Sequence, residues 1–388
     1  MKSKILLFLI VFCSVQLLAQ NRSIDSLTNL LNTASDNAIK VALKCKISQG
    51  YTEIGEFKKG GELANEALAE ATKSQDTKGI GLTYYTLARL NQYMRDWDKA
   101  LIYHYQAIQL FDEIDAHEEL SWTYLNMGIA FHAQKDYKRS IRYIQKALDI
   151  FTKIKHDQGI AYSYLNLGLA LHDSGSSDTA IVRLLDAKKI CVNTGDLRGI
   201  GYVHNILGNI YLSIGELDKA LNENFNCIKI REKENDKRDL SFQYGNVGRI
   251  YFKQGFLKKA DEALTLGEKL GLEINASVAL KRIYLTWSQI DSSNGNTQAA
   301  YTHFKRYNHY ENVLSDEEYE RKITALQYDF QTKQKEKEKE FTDFKNKQEE
   351  EKSAVLTNSN NIQFALLTAG SAIIILLVIL LFKKAKRN

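Results

Sequence analysis

The feature that most constrains this chain is a small residue that recurs every 40 residues. Glycine, alanine or serine fills this slot in seven successive units: Ser48, Ala88, Gly128, Gly168, Gly208, Gly248 and Ser288. A second small residue follows twelve positions later in each unit: Gly60, Ala100, Ser140, Ala180, Ala220, Ala260 and Ala300. A fixed period of this length is typical of stacked repeat arrays. Because each repeat contacts only its neighbours, such an array forms an extended surface, and we expect it to bind rather than to catalyse.

Two helical patterns make up each unit. With the first small residue numbered position 8, the apolar positions 4, 7 and 11 lie on one face of a helix. Positions 20, 24 and 27 form the apolar face of a second helix, and glycine at position 15, as in Gly175 and Gly215, predicts the turn between them. Aspartate near position 36, as in Asp76 and Asp196, or in Asp157 one place late, predicts where the next first helix begins. We therefore expect the extra length of the unit to lie in a long first helix.

These residues resemble the tetratricopeptide repeat in its long, 40-residue variety. The match is clearest in the stretches SYLNLGLALHDSG and GYVHNILGNIYLSIGELDKAL, which carry the family's tyrosine, Leu-Gly and alanine spacing. One departure is that the chain contains no proline, which the family usually has after the second helix. The resemblance implies an all-α solenoid of helical hairpins. We place seven repeats at residues 37–312, preceded by an N-terminal capping segment at residues 20–36.

Both ends of the chain carry patterns typical of exported membrane proteins. Residues 1–19 combine two lysines, an apolar run and a final alanine, which predicts a secretory signal peptide. An acylated Cys13 is the weaker alternative, since Phe12 stands where a small residue is needed. Residues 364–382 hold no charge over 19 residues, which predicts a transmembrane helix. The basic tail at residues 383–388 then predicts a cytoplasmic C-terminus, so the repeats of a single-pass inner-membrane protein would lie in the periplasm.

Between the repeats and the apolar run, residues 313–356 are rich in lysine and glutamate. Such pairs at i,i+4 spacing favour a solvated helical stalk. Its apolar heptad seam fades into lysines, so two interpretations stay open: a single rigid helix, or a weak coiled coil that forms a homodimer. Residues 357–363 are expected to be a short linker.

The sequence carries no motif for catalysis. It has no glycine-rich phosphate loop, no HExxH and no nucleophile elbow. Cys45, Cys191 and Cys227 lack the spacing of a metal site. The net charge of +5 lies partly at the two ends of the chain and gives no argument for nucleic acid. We therefore expect no cofactor, no metal, no nucleic-acid partner and no enzymatic activity.

The resemblance also indicates where a partner binds. In this family the first helices line the concave face, positions 2, 5, 9, 12 and 13 point into it, and asparagines of long repeats clamp extended peptides. The candidate groove residues are Arg89, Trp122, Asn126, His132, Tyr162, Asn166, His172, Tyr202, Asn209, Phe242, Asn246 and Arg249. Two points stay open. The position-2 aromatics either line the groove or pack as core, and His132 and His172 are either a pH- or metal-responsive pair or two residues on a helix flank.

The predicted function is an exported, membrane-anchored scaffold that binds a protein or a peptide in its groove. The alternative is the input part of a signal-transduction receptor. The chain resembles the exported sensory half of bacterial proteins in which such repeats precede a histidine kinase or a helix-turn-helix regulator. No such domain precedes Asn388, so this alternative requires a separate cytoplasmic kinase or regulator as partner.

Overall fold

The structure, a computed structural model, describes residues 23–385, with only part of the side chains after residue 327. Every regular element in this range is an α-helix, and the first is α1 (23–33). Thirteen helices of similar length follow: α2 (Asn37–Glu53), α3 (Phe57–Lys73), α4 (Thr77–Tyr93), α5 (Trp97–Glu113), α6 (His117–Ala133), α7 (Tyr137–Lys153), α8 (Asp157–Asp173), α9 (Ser177–Thr194), α10 (Leu197–Ser213), α11 (Leu217–Glu234), α12 (Lys237–Lys253), α13 (Leu257–Glu273) and α14 (Ser277–Ser293). The last helix is α15 (Thr297–Ala385).

The helices pair as hairpins along the described chain, α2 with α3 and α12 with α13, for example, and each hairpin packs on the next. A residue with positive φ recurs every 20 residues and ends each helix of α2–α14. The helices α2–α8 are each 17 residues long. The extra length of the 40-residue unit is therefore shared by both helices of the hairpin. The expectation of a longer first helix is wrong, because the turn after the second helix has the same geometry as the turn at position 15.

Aspartate caps fix the starts of many helices. The side chains of Asp76, Asp196 and Asp236 each accept a hydrogen bond from the backbone N–H three residues further on, at 2.9–3.1 Å. A cap of this kind contributes about 1 kcal/mol to helix stability. At α8 the cap is His156, whose Nδ1 accepts from the Gly159 N–H at 2.9 Å, and Asp157 is the first helical residue instead.

The recurring small residue lies where the two helices of a hairpin touch. A Cβ atom on Gly128 would come within 2.6 Å of Ile144 Cγ1 and 3.1 Å of the Ser140 carbonyl oxygen. At Gly168 and Gly248 the added atom would meet a leucine of the second helix at 2.7 and 2.5 Å. These slots therefore have room for no side chain at the present helix separation.

The start of α15 completes the last hairpin. His303 Nδ1 and Asp291 Oδ2 lie 2.7 Å apart, and the rings of Tyr310 and Tyr284 stack with centroids 5.7 Å apart. Instead of ending after 17 residues, α15 continues without a break for 89 residues. The residues 357–363, expected to form a linker, are helical. The chain divides into two compact units, Met1–Ala325 and Leu326–Asn388.

The predicted transmembrane helix requires a correction. No helix in the described part of the chain is long and apolar enough to cross a bilayer. Residues 364–382 form no separate apolar helix but are the end of α15, which is charged over much of its length. Most of their side chains lie outside what the structure describes. The predicted single-pass location in the inner membrane, with periplasmic repeats, is contradicted by this finding.

Two further predictions concern residues that the structure does not describe. The signal peptide at residues 1–19 precedes the described range, and the basic tail at residues 383–388 extends past its end. Neither prediction is tested by the fold.

Candidate functional site

The first helices of the hairpins line one side of the solenoid. Successive first helices pack directly on one another, α2 on α4 and α12 on α14, for example, while the second helices lie further out. We call the surface formed by positions 2, 5, 6, 9, 12 and 13 of these helices the inner face. It contains the twelve candidate groove residues.

Polar side chains on the inner face are joined between neighbouring repeats. Arg89 donates from Nη1 to Gln49 Oε1 at 3.3 Å and from Nη2 to Glu53 Oε1 at 3.4 Å. In the next repeat, Asn126 donates from Nδ2 to the Tyr85 hydroxyl at 3.0 Å and to the Trp122 carbonyl at 2.9 Å. Half-buried hydrogen bonds of this type each contribute about 1 kcal/mol, so they hold neighbouring first helices in register.

The two histidines at position 12 do not pair with each other. His132 Nε2 lies 2.8 Å from Asp173 Oδ2, and His172 Nε2 lies 3.5 Å from Ser213 Oγ. Each histidine thus contacts position 13 of the following repeat. Among the described residues no group of three or more histidine, cysteine or acidic side chains could hold a metal ion. The arrangement is a contact between repeats and gives no support to a histidine pair.

The position-2 aromatics occupy the upper edge of the inner face and are half-buried. The Trp122 ring lies edge-on to Phe151, with centroids 4.9 Å apart, and to Tyr162 at 6.4 Å. Tyr202 is 40% exposed, and the Arg231 guanidinium lies 5.0 Å from its ring. The two interpretations of these residues are therefore both partly correct. One edge of each ring packs at the junction of two repeats, and the other faces the groove.

The asparagines at position 6 differ along the stack. Asn166 donates back to its own helix, to the Tyr162 carbonyl at 2.8 Å. Asn246 is buried, and its Nδ2 donates to Asn209 Oδ1 at 3.4 Å. Asn246 Oδ1 in turn accepts from Arg282 Nη1 at 2.7 Å. Three consecutive repeats are thus linked by one chain of hydrogen bonds.

Arg282 is a residue that the sequence patterns did not single out. It stands at position 2, where the preceding four units carry an aromatic, and its guanidinium lies 4.4 Å from the Phe242 ring. Burial, and then the charge of Arg249, lower the pKa of Arg282 to about 10. The break in the aromatic series at this position was the available signal.

A cleft of about 750 Å³ lies beside these residues. Its wall includes Arg95, Arg238, Phe242 and Val278 from the repeats. The fourth side is α15, where Glu318 Oε2 lies 3.8 Å from Arg95 Nη1. An acidic turn of the chain therefore already lies against basic residues at this end of the inner face.

Comparison with known proteins identifies the repeat type. The family model of the tetratricopeptide repeat matches residues 79–153 and 119–193. Residues 79–193 are tetratricopeptide repeats. The remaining hairpins continue the same all-helical, tetratricopeptide-like solenoid. A search of curated protein sequences gave no match.

Solved structures with the same fold are distant in sequence. Aspartyl phosphate phosphatase F from Bacillus subtilis is 16% identical, with a TM-score of 0.56 over 71% of this chain and 72% of that one. A Rap protein complexed with competence and sporulation factor is 14% identical, with a TM-score of 0.55 over 81% and 99%. The apo form of the quorum sensor NprR from B. thuringiensis is 14% identical, with a TM-score of 0.53 over 84% and 95%. At this identity the likeness concerns the fold.

Proposed function

We propose that this chain is a scaffold that binds a peptide or a partner protein along its inner face, without catalysis. The observation that carries the proposal is the composition of that face. Half-buried aromatic edges, such as those of Trp122, Tyr162 and Tyr202, alternate with amide and guanidinium groups held in place by neighbouring repeats. Aromatic edges anchor side chains of a bound segment, and fixed amides bind its backbone.

The solved neighbours support the same role. One of them was determined with competence and sporulation factor bound, and another is a quorum sensor. Extended inner faces of repeat solenoids are binding surfaces because they present many side chains at fixed spacing. Signalling is therefore the second candidate for the role of this scaffold, in which a bound ligand would act through a separate partner protein.

Peptide selection tests the proposal directly. A displayed library of random peptides is panned against the full chain, and the affinity of selected peptides is measured. We expect Tyr202→Ala and Asn166→Ala to weaken binding by about tenfold, as loss of an anchor of about 1.4 kcal/mol would. Val182→Ala, at a 51% exposed site on the second helix α9, is the matched control and should leave affinity unchanged. Equal retention by all three variants would refute binding on the inner face.

A further inference from the structure

Two arginines on the inner face lie close together without a carboxylate partner. Arg249 is on α12, one helical turn after Asn246, and Arg282 reaches across from α14 to donate to Asn246 Oδ1 at 2.7 Å. Both side chains are half-buried. Among the described residues no acidic side chain forms an ion pair with either guanidinium or acts on its pKa.

This arrangement is costly unless an anion completes it. Burial lowers the pKa of Arg249, and the Nε–H of the same side chain is buried without a hydrogen-bond partner. A second positive charge beside it adds repulsion. Other half-buried arginines of the chain are compensated: Arg89 by Glu53, and Arg231 by Glu234 and Asp239. Arg249 and Arg282 are therefore exceptions within the same solenoid.

The surroundings hold the two guanidinium groups ready for a ligand. Arg282 lies over the Phe242 ring at 4.4 Å, which fixes its plane, and the bond to Asn246 uses Nη1. A guanidinium presents five donors in a planar fork, so further donors of Arg282 and those of Arg249 remain for an oxyanion. A carboxylate is matched by such a fork in a bidentate manner.

The neighbouring cleft indicates which oxyanion this is. Phe242, under Arg282, also forms part of the cleft wall beside Arg95 and Arg238. There the chain's own carboxylate, Glu318 on α15, pairs with Arg95 at 3.8 Å. The contiguous surface thus already binds an acidic helix segment.

We propose that Arg249 and Arg282 form a binding site for a carboxylate of an acidic peptide segment in the partner. This rests on the proposed function, since it names the chemistry of the ligand that the inner face takes. Asn209 and Asn246 position the site through the hydrogen bond between them and the bond to Arg282.

The first experiment uses the peptide library panned against the full chain. We expect the selected peptides to be enriched in aspartate and glutamate. Arg249→Gln and Arg282→Gln should each weaken binding of these peptides at least tenfold, with Arg282→Lys intermediate because it keeps the charge and loses the fork. Arg183→Gln, at an exposed pair with Asp186 on α9, is the control and should not change affinity. Selected peptides that lack acidic residues and bind both arginine variants normally would overturn the site, while the proposed function would stand.

A second measurement decides the matter when no peptide is selected, the outcome that would count against the proposed function itself. The Tm of the full chain is followed with N-acetyl-hexaglutamate and, separately, with inorganic phosphate. A rise in Tm with hexaglutamate that Arg249→Gln abolishes supports the carboxylate site. Protection by phosphate alone, or an equal rise in wild type and variant, overturns it. Circular dichroism of each variant verifies that the helices are intact.

Discussion

Gly128 and Ile144 are in contact across the hairpin of α6 and α7, so closely that a Cβ atom on Gly128 would lie 2.6 Å from Ile144 Cγ1. The same atom would lie 3.1 Å from the backbone oxygen of Ser140, which cannot move without moving α7. This pair sets the distance between the two helices, and it recurs in the hairpins that follow. It is the physical reason for the 40-residue period of small residues.

Gly128→Ala should therefore destabilise the solenoid. Alanine favours a helix by up to about 1 kcal/mol over glycine, but overpacking of a close helix contact costs about 1–3 kcal/mol. We expect the urea midpoint to fall. Gly245→Ala is the control, because its nearest neighbour is the end region of the Ile283 side chain at 3.1 Å, which can shift. A midpoint for Gly128→Ala at or above that of wild type would contradict this account.

The turns offer a stabilising change. Lys135 and Lys155 have φ of 62° and 56°, a left-handed conformation that costs a residue with a side chain about 1 kcal/mol. Lys135→Gly and Lys155→Gly should each raise the free energy of unfolding by about 0.5–1 kcal/mol. The same change at exposed Lys189, inside α9, should lower it by about 1 kcal/mol. Thermal denaturation of the three variants measures both signs, and a loss of stability at the turns would be inconsistent with the backbone geometry.

His104 should make stability depend on pH. It is fully buried on α5, its ring nitrogens lack hydrogen-bond partners, and burial lowers its pKa from 6.5 to about 3. The unfolded chain therefore binds one more proton than the folded chain between these values. The free energy of unfolding is retained above pH 6.5 and falls by about 1.4 kcal/mol per pH unit below it.

The variant His104→Leu removes this dependence. Leucine occupies the same position at Leu184, so the site suits an aliphatic side chain. We expect a flatter curve of stability against pH between 6.5 and 4 in urea titrations, and a stability at pH 7 higher by about 1–3 kcal/mol because unpartnered polar atoms are removed. His117→Gln, at an exposed site, serves as the control. An unchanged slope in His104→Leu would rule out His104 as its source.

Arg231 occupies a place that phenylalanine fills in other repeats. It is 2% exposed, packs against Gly201 as Phe111 packs against Gly81, and pairs with Asp239 at 2.9 Å and Glu234 at 2.6 Å. Arg231→Met should cost about 3 kcal/mol, because it leaves Asp239, whose pKa burial already raises, without its cation.

A matched pair of variants tests this cost. Arg231→Met combined with Asp239→Asn should recover a large part of the lost stability, since no buried charge then remains uncompensated. Arg183→Met breaks an exposed pair and should change the free energy of unfolding by less than about 1 kcal/mol. Equal losses in the single and double variants would show that packing of the arginine stem, and not the charge of Asp239, sets the cost.

The sequence by itself determined the repeat, its helices and many of their ends. These depend on neighbours within a few residues: a cap such as Asp76 bonds three residues ahead, and the slot at Gly128 meets its own hairpin partner. The apolar run at residues 364–382 shows the limit of this approach. Its hydropathy predicted a separate membrane span, whereas the backbone there is the end of the continuous helix α15.

Only the tertiary structure decided how the inner face is arranged. The equal length of the two helices in a hairpin, the pairing of His132 with Asp173, and the reach of Arg282 to Asn246 all depend on the stacking of repeats. The last two contacts join residues 41 and 36 positions apart. Their geometry is set by the angle and distance between neighbouring hairpins, because side chains so far apart in sequence meet only once the helices have packed.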